Sequence, residues 1–251
     1  MYGFGNSPGE IATSIAGWTQ LDVKLPAGLT TALKLFDAVR RVDTNHHPAF
    51  DISRVTPNNA EQLIGEHAAK LALTLAQPGS SSPLWRAKQE AESHAGRQVM
   101  AEAAEAVPDI ISKLTPEFDR HAAAYVAAVV QLPEDLTADA LVAAGPDAVI
   151  AFGVAQAEVA YLRKIAAWVA STGQLPDHRG DPDAELRGIV KPESHSQLAV
   201  LRNAAAGRES HELYAVDKVL FAAARNGVPF AILTLRETAQ LREQLQGFVD
   251  A

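Results

Sequence analysis

The sequence predicts a mainly α-helical fold, a helical bundle with at most a small two- or three-stranded sheet, and three observations lead there. Alanine supplies 47 of the 251 residues while aromatic residues make up only 6%. Alanine is the best helix former and has little side chain with which to fill the space between sheets. Apolar residues recur at helical spacing along most of the chain, and only two segments alternate as strands do. A chain of this length with 47% hydrophobic residues has enough apolar material for a sizeable core.

Taken in order, residues 1–18 read as an irregular arm and 19–25 (TQLDVKL) as a short strand. Pro26 opens a helix with Leu29, Leu33 and Phe36 on one stripe, running to about Val42. The stretch DTNHHPAFD at 43–51 follows, where Pro48 blocks continuation. Thr56 as N-cap and Pro57 in the first helical position start the next helix, whose apolar face carries Ile64, Ala68, Leu71 and Leu75. After the Pro/Gly/Ser-rich stretch 78–83, a polar, alanine-rich helix spans 84–107 and ends before Pro108. Thr115 and Pro116 repeat the Thr-Pro start signal and open a helix to about Val130.

Thr137 caps a short helix that Gly145 closes, and 147–172 is the most strongly periodic helix of the chain. Residues 174–192 form a charged loop of a length that suits a functional or mobile segment. Two helices that begin with serine and end with glycine follow, at 194–207 and 210–227. VPFAILTL at 228–235 is the better strand candidate, and a final helix ends near Val249. The domain reading is an N-terminal helical region with its arm at 1–78, a linker or exposed loop at 79–83, and a C-terminal helical bundle at 84–251.

A net charge of -8 argues against nucleic acid as a partner, because phosphate binding needs a basic footprint. The absence of cysteine removes disulfides, thiolate ligands and a thiol nucleophile, and fits a cytoplasmic setting. The first ten residues lack the basic and apolar segments of a secretory signal, and no apolar run reaches membrane-spanning length, so no membrane is expected as a partner.

Motifs fail one after another. GFGNSPG places Pro8 where a dinucleotide loop needs its third glycine, and no strand precedes it. HELYA has Ala215 where a zinc-protease helix needs its second histidine. DPDAELRGIVKP offers Asp181, Asp183 and Glu185, but Leu186 holds the turn position of a calcium loop and Pro192 that of its bidentate glutamate. No cofactor is implied.

The adjacent histidines raise the one metal question. His46 and His47, flanked by Asp43 and Asp51 and with His67 on the next helix, could supply the three ligands of a zinc site without cysteine. The plainer reading is a solvated turn, with the histidines near the C-terminal dipole of the preceding helix and His67 at the core edge. Glu158 stands among Val154, Tyr161, Leu162, Ile165 and Val169 on its helix, so it is expected to be a buried polar group paired with Arg120 or His121.

The same helix carries two apolar stripes. Phe152, Ala155, Val159, Leu162, Ala166 and Val169 form a packing seam, and Ile150, Val154, Ala157, Tyr161, Ile165 and Trp168 lie beside it. Two stripes imply burial from two sides. Helix 116–130 covers one, and the other is left to the C-terminal helices or to a second copy, with 84–107 and 147–171 as the expected contact surfaces. The alanine-rich, cysteine-free style resembles proteins of GC-rich actinobacteria and their phages. The functional expectation is a non-enzymatic helical structural or interaction protein acting through assembly: an oligomer, a scaffold, or part of a phage virion assembled in the cytoplasm. The alternative is a metal-dependent enzyme using His46, His47 and a nearby carboxylate.

Overall fold

The computed structural model describes residues 7–44, 48–74, 82–180, 183–207 and 210–246. Among them the protein is helical, with ten α-helices and no strand longer than a single bridge. No helix among the described residues is long and apolar enough to cross a membrane. The chain divides into two compact units, one of Met1–Gly17 with Leu25–Ala103 and one of Trp18–Lys24 with Ala104–Ala251.

The first unit begins with α1 (Pro8–Ala16), where an irregular arm was expected. Ser7 and Glu10 close a capping box, with Ser7 N–H donating to Glu10 Oε2 at 2.7 Å and Glu10 N–H to Ser7 Oγ at 3.3 Å, and Pro8 fills the first helical position. Helix α2 (Ala27–Arg40) follows Pro26 and buries Leu29, Ala32 and Phe36. Helix α3 (Ala60–Thr74) starts later than the Thr-Pro signal implied, after a turn in which Thr56 N–H donates to Asn59 Oδ1 at 2.6 Å and Asn59 N–H to Thr56 O at 3.1 Å. The expected face of Ile64, Ala68, Leu71 and Leu75 is not its inner one. Leu63, His67, Leu71 and Thr74 are half-buried, Ile64 and Ala68 are exposed, and Leu75 lies outside the described residues.

Helix α4 (Pro83–Val130) runs unbroken through Pro108 and Pro116, where two separate helices were expected. A proline inside a helix deprives the carbonyl four residues back of its donor. The carbonyl freed by Pro108 is that of Ala104, and His178 Nε2 sits 3.1 Å from it. A side chain distant in sequence thus replaces the missing backbone bond.

The second unit packs α5 (Ala138–Ala144), α6 (Pro146–Ser171), α7 (His195–Ala206), α8 (His211–Val216), α9 (Lys218–Arg225) and α10 (Leu235–Gln246) with the later part of α4. The sequence signals at Thr137, Gly145, Ser194, Gly207 and Ser210 all sit at helix ends as expected. The expected strand at 19–25 is instead a 3-10 turn, Gly17–Leu21, whose Trp18 and Leu21 are buried. Trp18 meets Trp168 edge to face at 5.7 Å, and Lys113 Nζ donates to Lys24 O at 3.0 Å. Aromatic burial outweighs alternation there.

The expected strand at 228–235 shrinks to one antiparallel bridge, Val190 with Phe230. Pro229 and Pro192 lack N–H groups with which to extend pairing at one end, while at the other Leu233 N–H still donates to Gly188 O at 2.8 Å without forming a ladder. The loop 174–192 is anchored: Leu175, Leu186, Ile189 and Val190 are fully buried.

Two glycines generate opposed expectations. A Cβ on Gly96, in α4, would stand 2.7 Å from Pro8 O and 2.8 Å from Pro8 C, both backbone atoms at the start of α1, whereas one on Gly65, in α3, would meet nothing among the described residues. Gly96→Ala should therefore destabilise the protein by about 1–3 kcal/mol through overpacking, and Gly65→Ala should stabilise it by about 0.5–1 kcal/mol. Denaturant titration of both variants checks the pair. A harmless Gly96→Ala would contradict the close crossing of α1 and α4.

Candidate functional site

The largest concentration of charge in the second unit gathers around Asp217. Its side chain is 2% exposed and it sits at φ 66°, between α8 and α9, splitting what the sequence suggested as one helix. One carboxylate oxygen, Oδ1, accepts from Val219 N–H and Leu220 N–H and so caps α9. The other, Oδ2, faces Arg187 Nη1 at 2.6 Å and Arg163 Nε at 3.4 Å. Arg163 also donates to the carbonyl of Tyr214 and lies over the Tyr214 ring at 5.4 Å. Beside this triad, Asp183 pairs with Arg242 at 2.7 Å and Glu185 with Arg202 at 3.2 Å. Asp183 Oδ1 additionally accepts from Glu185 N–H and Leu186 N–H. The calcium-like spacing in the sequence is thus an arginine-paired turn at Asp183 and Glu185; Asp181 lies outside the described residues.

Helix α6 shows a different feature on its outer side. Between Val149 and Ala160 the exposed residues are Val149, Ile150, Gly153, Val154, Gln156, Ala157 and Ala160, and only Gln156 has a polar side chain. Val149 is 50% exposed, Ile150 66% and Val154 40%. A helix at the surface of a water-soluble fold normally turns a charged or polar arc outward. The residues expected to form contact surfaces divide accordingly. Val159, Leu162, Trp168 and Val169 are buried by the chain itself, and Phe152 and Tyr161 are half-buried. What stays open is the start of the second stripe, at Ile150, Val154 and Ala157, widened by Val149.

Glu158 is half-buried and lies against His121 Nδ1 of α4, one of its two expected partners. Tyr161 stacks on the His121 ring at 3.9 Å, and His121 Nε2 lies 3.2 Å from Glu117 Oε1. Arg120, the other candidate, pairs with Glu117 at 2.5 Å, and holds that carboxyl below its ordinary value. Both nitrogens of His121 are engaged, Nε2 lying 2.9 Å from Arg120 Nη2 as well, so the cluster ties α4 to α6. No known protein family, curated protein or solved structure matches this chain. Function therefore has to be read from these features alone.

His46 and His47 lie outside the described residues. Asp51 accepts from Ser53 N–H at 3.1 Å and from Ser53 Oγ at 2.6 Å, bonds that lower its pKa. His67 meets the Phe50 ring at 4.9 Å. Among the described residues no group of three or more His, Asp or Glu side chains is arranged to hold a metal ion.

Asp217 escaped the sequence reading although its signal was present: it is a carboxylate between Val216 and Val219–Leu220, in the same predicament as Glu158. Its arginine partners come from distant segments, and no spacing rule finds them.

The buried tyrosine beside this network gives a pH expectation. Tyr125 donates to Val216 O at 2.6 Å, and burial, aided by the Asp217 carboxylate, raises its pKa well above the ordinary tyrosine value. The unfolded chain ionises first, so this contribution to stability is complete below about pH 10 and is lost as pH rises towards the raised value. Tyr125→Phe should cost about 1 kcal/mol at neutral pH through the lost bond, and should flatten the alkaline loss of stability. Denaturation midpoints at neutral and alkaline pH measure both, and an unchanged alkaline slope would contradict the assignment.

Proposed function

We propose that this is a non-enzymatic interaction protein that acts through assembly, and that two copies of the chain join through the outer arc of α6. The observation that carries the reading is the lack of any charged side chain among the exposed residues from Val149 to Ala160. At a net charge of -8, two copies repel over most of their surface, and an uncharged arc is where they can approach without opposing like charges. Gly153 adds a second support. Glycine inside a helix costs about 0.5–1 kcal/mol relative to alanine, and a Cβ at Gly153 would meet nothing among the described residues, so no contact there calls for it.

A small residue at the centre of the arc, with Ala157 one turn on, lets a second backbone come close. Val142 of α5, 75% exposed, extends the apolar surface on the helix packed against α6. A stable contact of this kind should bury on the order of 1,000 Å² or more. The wider setting we propose is a larger particle, such as a phage virion assembled in the cytoplasm, a reading supported by the actinobacterial phage-like composition.

Light scattering on the purified protein at high micromolar concentration should give the mass of a dimer. The double variant Ile150→Glu, Val154→Glu should give a monomer with unchanged helix content by circular dichroism. A monomer for the unmodified chain, or a dimer that persists in the variant, overturns this surface.

A further inference from the structure

The Asp217 network borders an open cleft of about 490 Å³ that the assembly reading does not use. One wall is α6, with Arg163, Ala166, Ala167 and Ala170, and the other is the turn of Asp183, Ala184 and Arg187. The charges do not cancel. Asp183 is matched by Arg242, whereas Arg163 and Arg187 share the single carboxylate of Asp217, which leaves one positive charge in excess at the cleft among the described residues.

Arg187 has unmet bonding capacity as well. Its Nη1 serves Asp217, while its Nε is shut off from water with no acceptor in reach among the described residues. A buried donor without a partner costs about 1–3 kcal/mol. The pair is also held in uncommon backbone geometry: Arg187 sits at φ 53° and Asp217 at φ 66°, two of the four described non-glycine residues with positive φ. Non-glycine residues in this region persist where the surroundings enforce them, and such positions gather at ligand sites.

We propose that this cleft binds a small organic monocarboxylate. The excess charge is that of one anion, so a singly charged carboxylate neutralises it and a doubly charged phosphate overshoots. A guanidinium presents a planar fork that suits carboxylate geometry. The alanine part of the α6 wall has no polar side chain and no bulk, so it accepts a flat apolar body such as an aromatic ring. Arg163 and Arg187 hold the acid group, and Ala166, Ala167 and Ala170 carry the ring.

Titration calorimetry with benzoate tests the site, with benzamide as the uncharged analogue and inorganic phosphate as the dianion. Benzoate should bind saturably at one site per chain, more weakly as salt is raised, and both comparison ligands should bind at least about tenfold more weakly, the 1.4 kcal/mol step of a lost charge contact. Arg187→Gln risks the Asp217 pair and with it the fold, so the decisive variant is Ala167→Glu. It leaves the pair intact and places a carboxylate one turn after Arg163, where it competes within the chain. Benzoate binding should fall by about tenfold or more while circular dichroism stays unchanged. No saturable benzoate binding, equal binding of benzamide or phosphate, or undiminished binding by a folded Ala167→Glu variant overturns the proposal.

Discussion

Asp217 is a full negative charge placed where water does not reach, and the second unit is built around satisfying it. Taking a carboxylate out of water costs several kcal/mol, and the cost is met from three directions: two backbone N–H groups of α9, Arg187 from the 183–190 turn, and Arg163 from α6. The neighbouring backbone is tied in as well, through Arg163 to the Tyr214 carbonyl and Tyr125 of α4 to the Val216 carbonyl. Four separate segments thus converge on residues 214–217. A hydrophobic residue at 217 would avoid the desolvation cost and lose the geometric demand that brings those segments into one arrangement.

The buried stripe of α6, Ala155, Val159, Leu162 and Val169, sets the rotation of the helix, and the same rotation brings Arg163 to Asp217. That rotation leaves Val149, Ile150 and Val154 outward. The uncharged arc and the arginine-lined cleft are therefore two results of one constraint, since both follow from how α6 is turned.

Much of the fold was legible in local chemistry. Thr137, Ser194 and Ser210 cap helices because their side chains accept from N–H groups at the first turn, and the sequence announces that directly. The Ser7-to-Glu10 capping box was equally present in SPGE, although 1–18 read as an irregular arm. Pro108 misled for a physical reason: proline breaks a helix unless something takes the freed carbonyl, and His178 is remote in sequence. The two expected strands show the same limit, since alternation cannot reveal that Trp18 has a tryptophan to pack on or that prolines curtail the partner segment. At the site, the apolar surroundings of Glu158 called for a partner, with Arg120 or His121 as candidates that no spacing rule could decide between, whereas Asp217 depends on arginines from distant segments.

Asp217→Asn tests the central claim most directly, because asparagine keeps the volume and the helix-capping oxygen and removes only the charge. Denaturant unfolding combined with amide exchange at Val216, Leu220 and Leu162 reads the outcome. Two arginines left facing a neutral group should lower stability by about 3 kcal/mol and weaken protection at all three sites together. A change within about 0.5 kcal/mol, the ordinary range for a surface substitution, would contradict the view that this buried charge organises the unit.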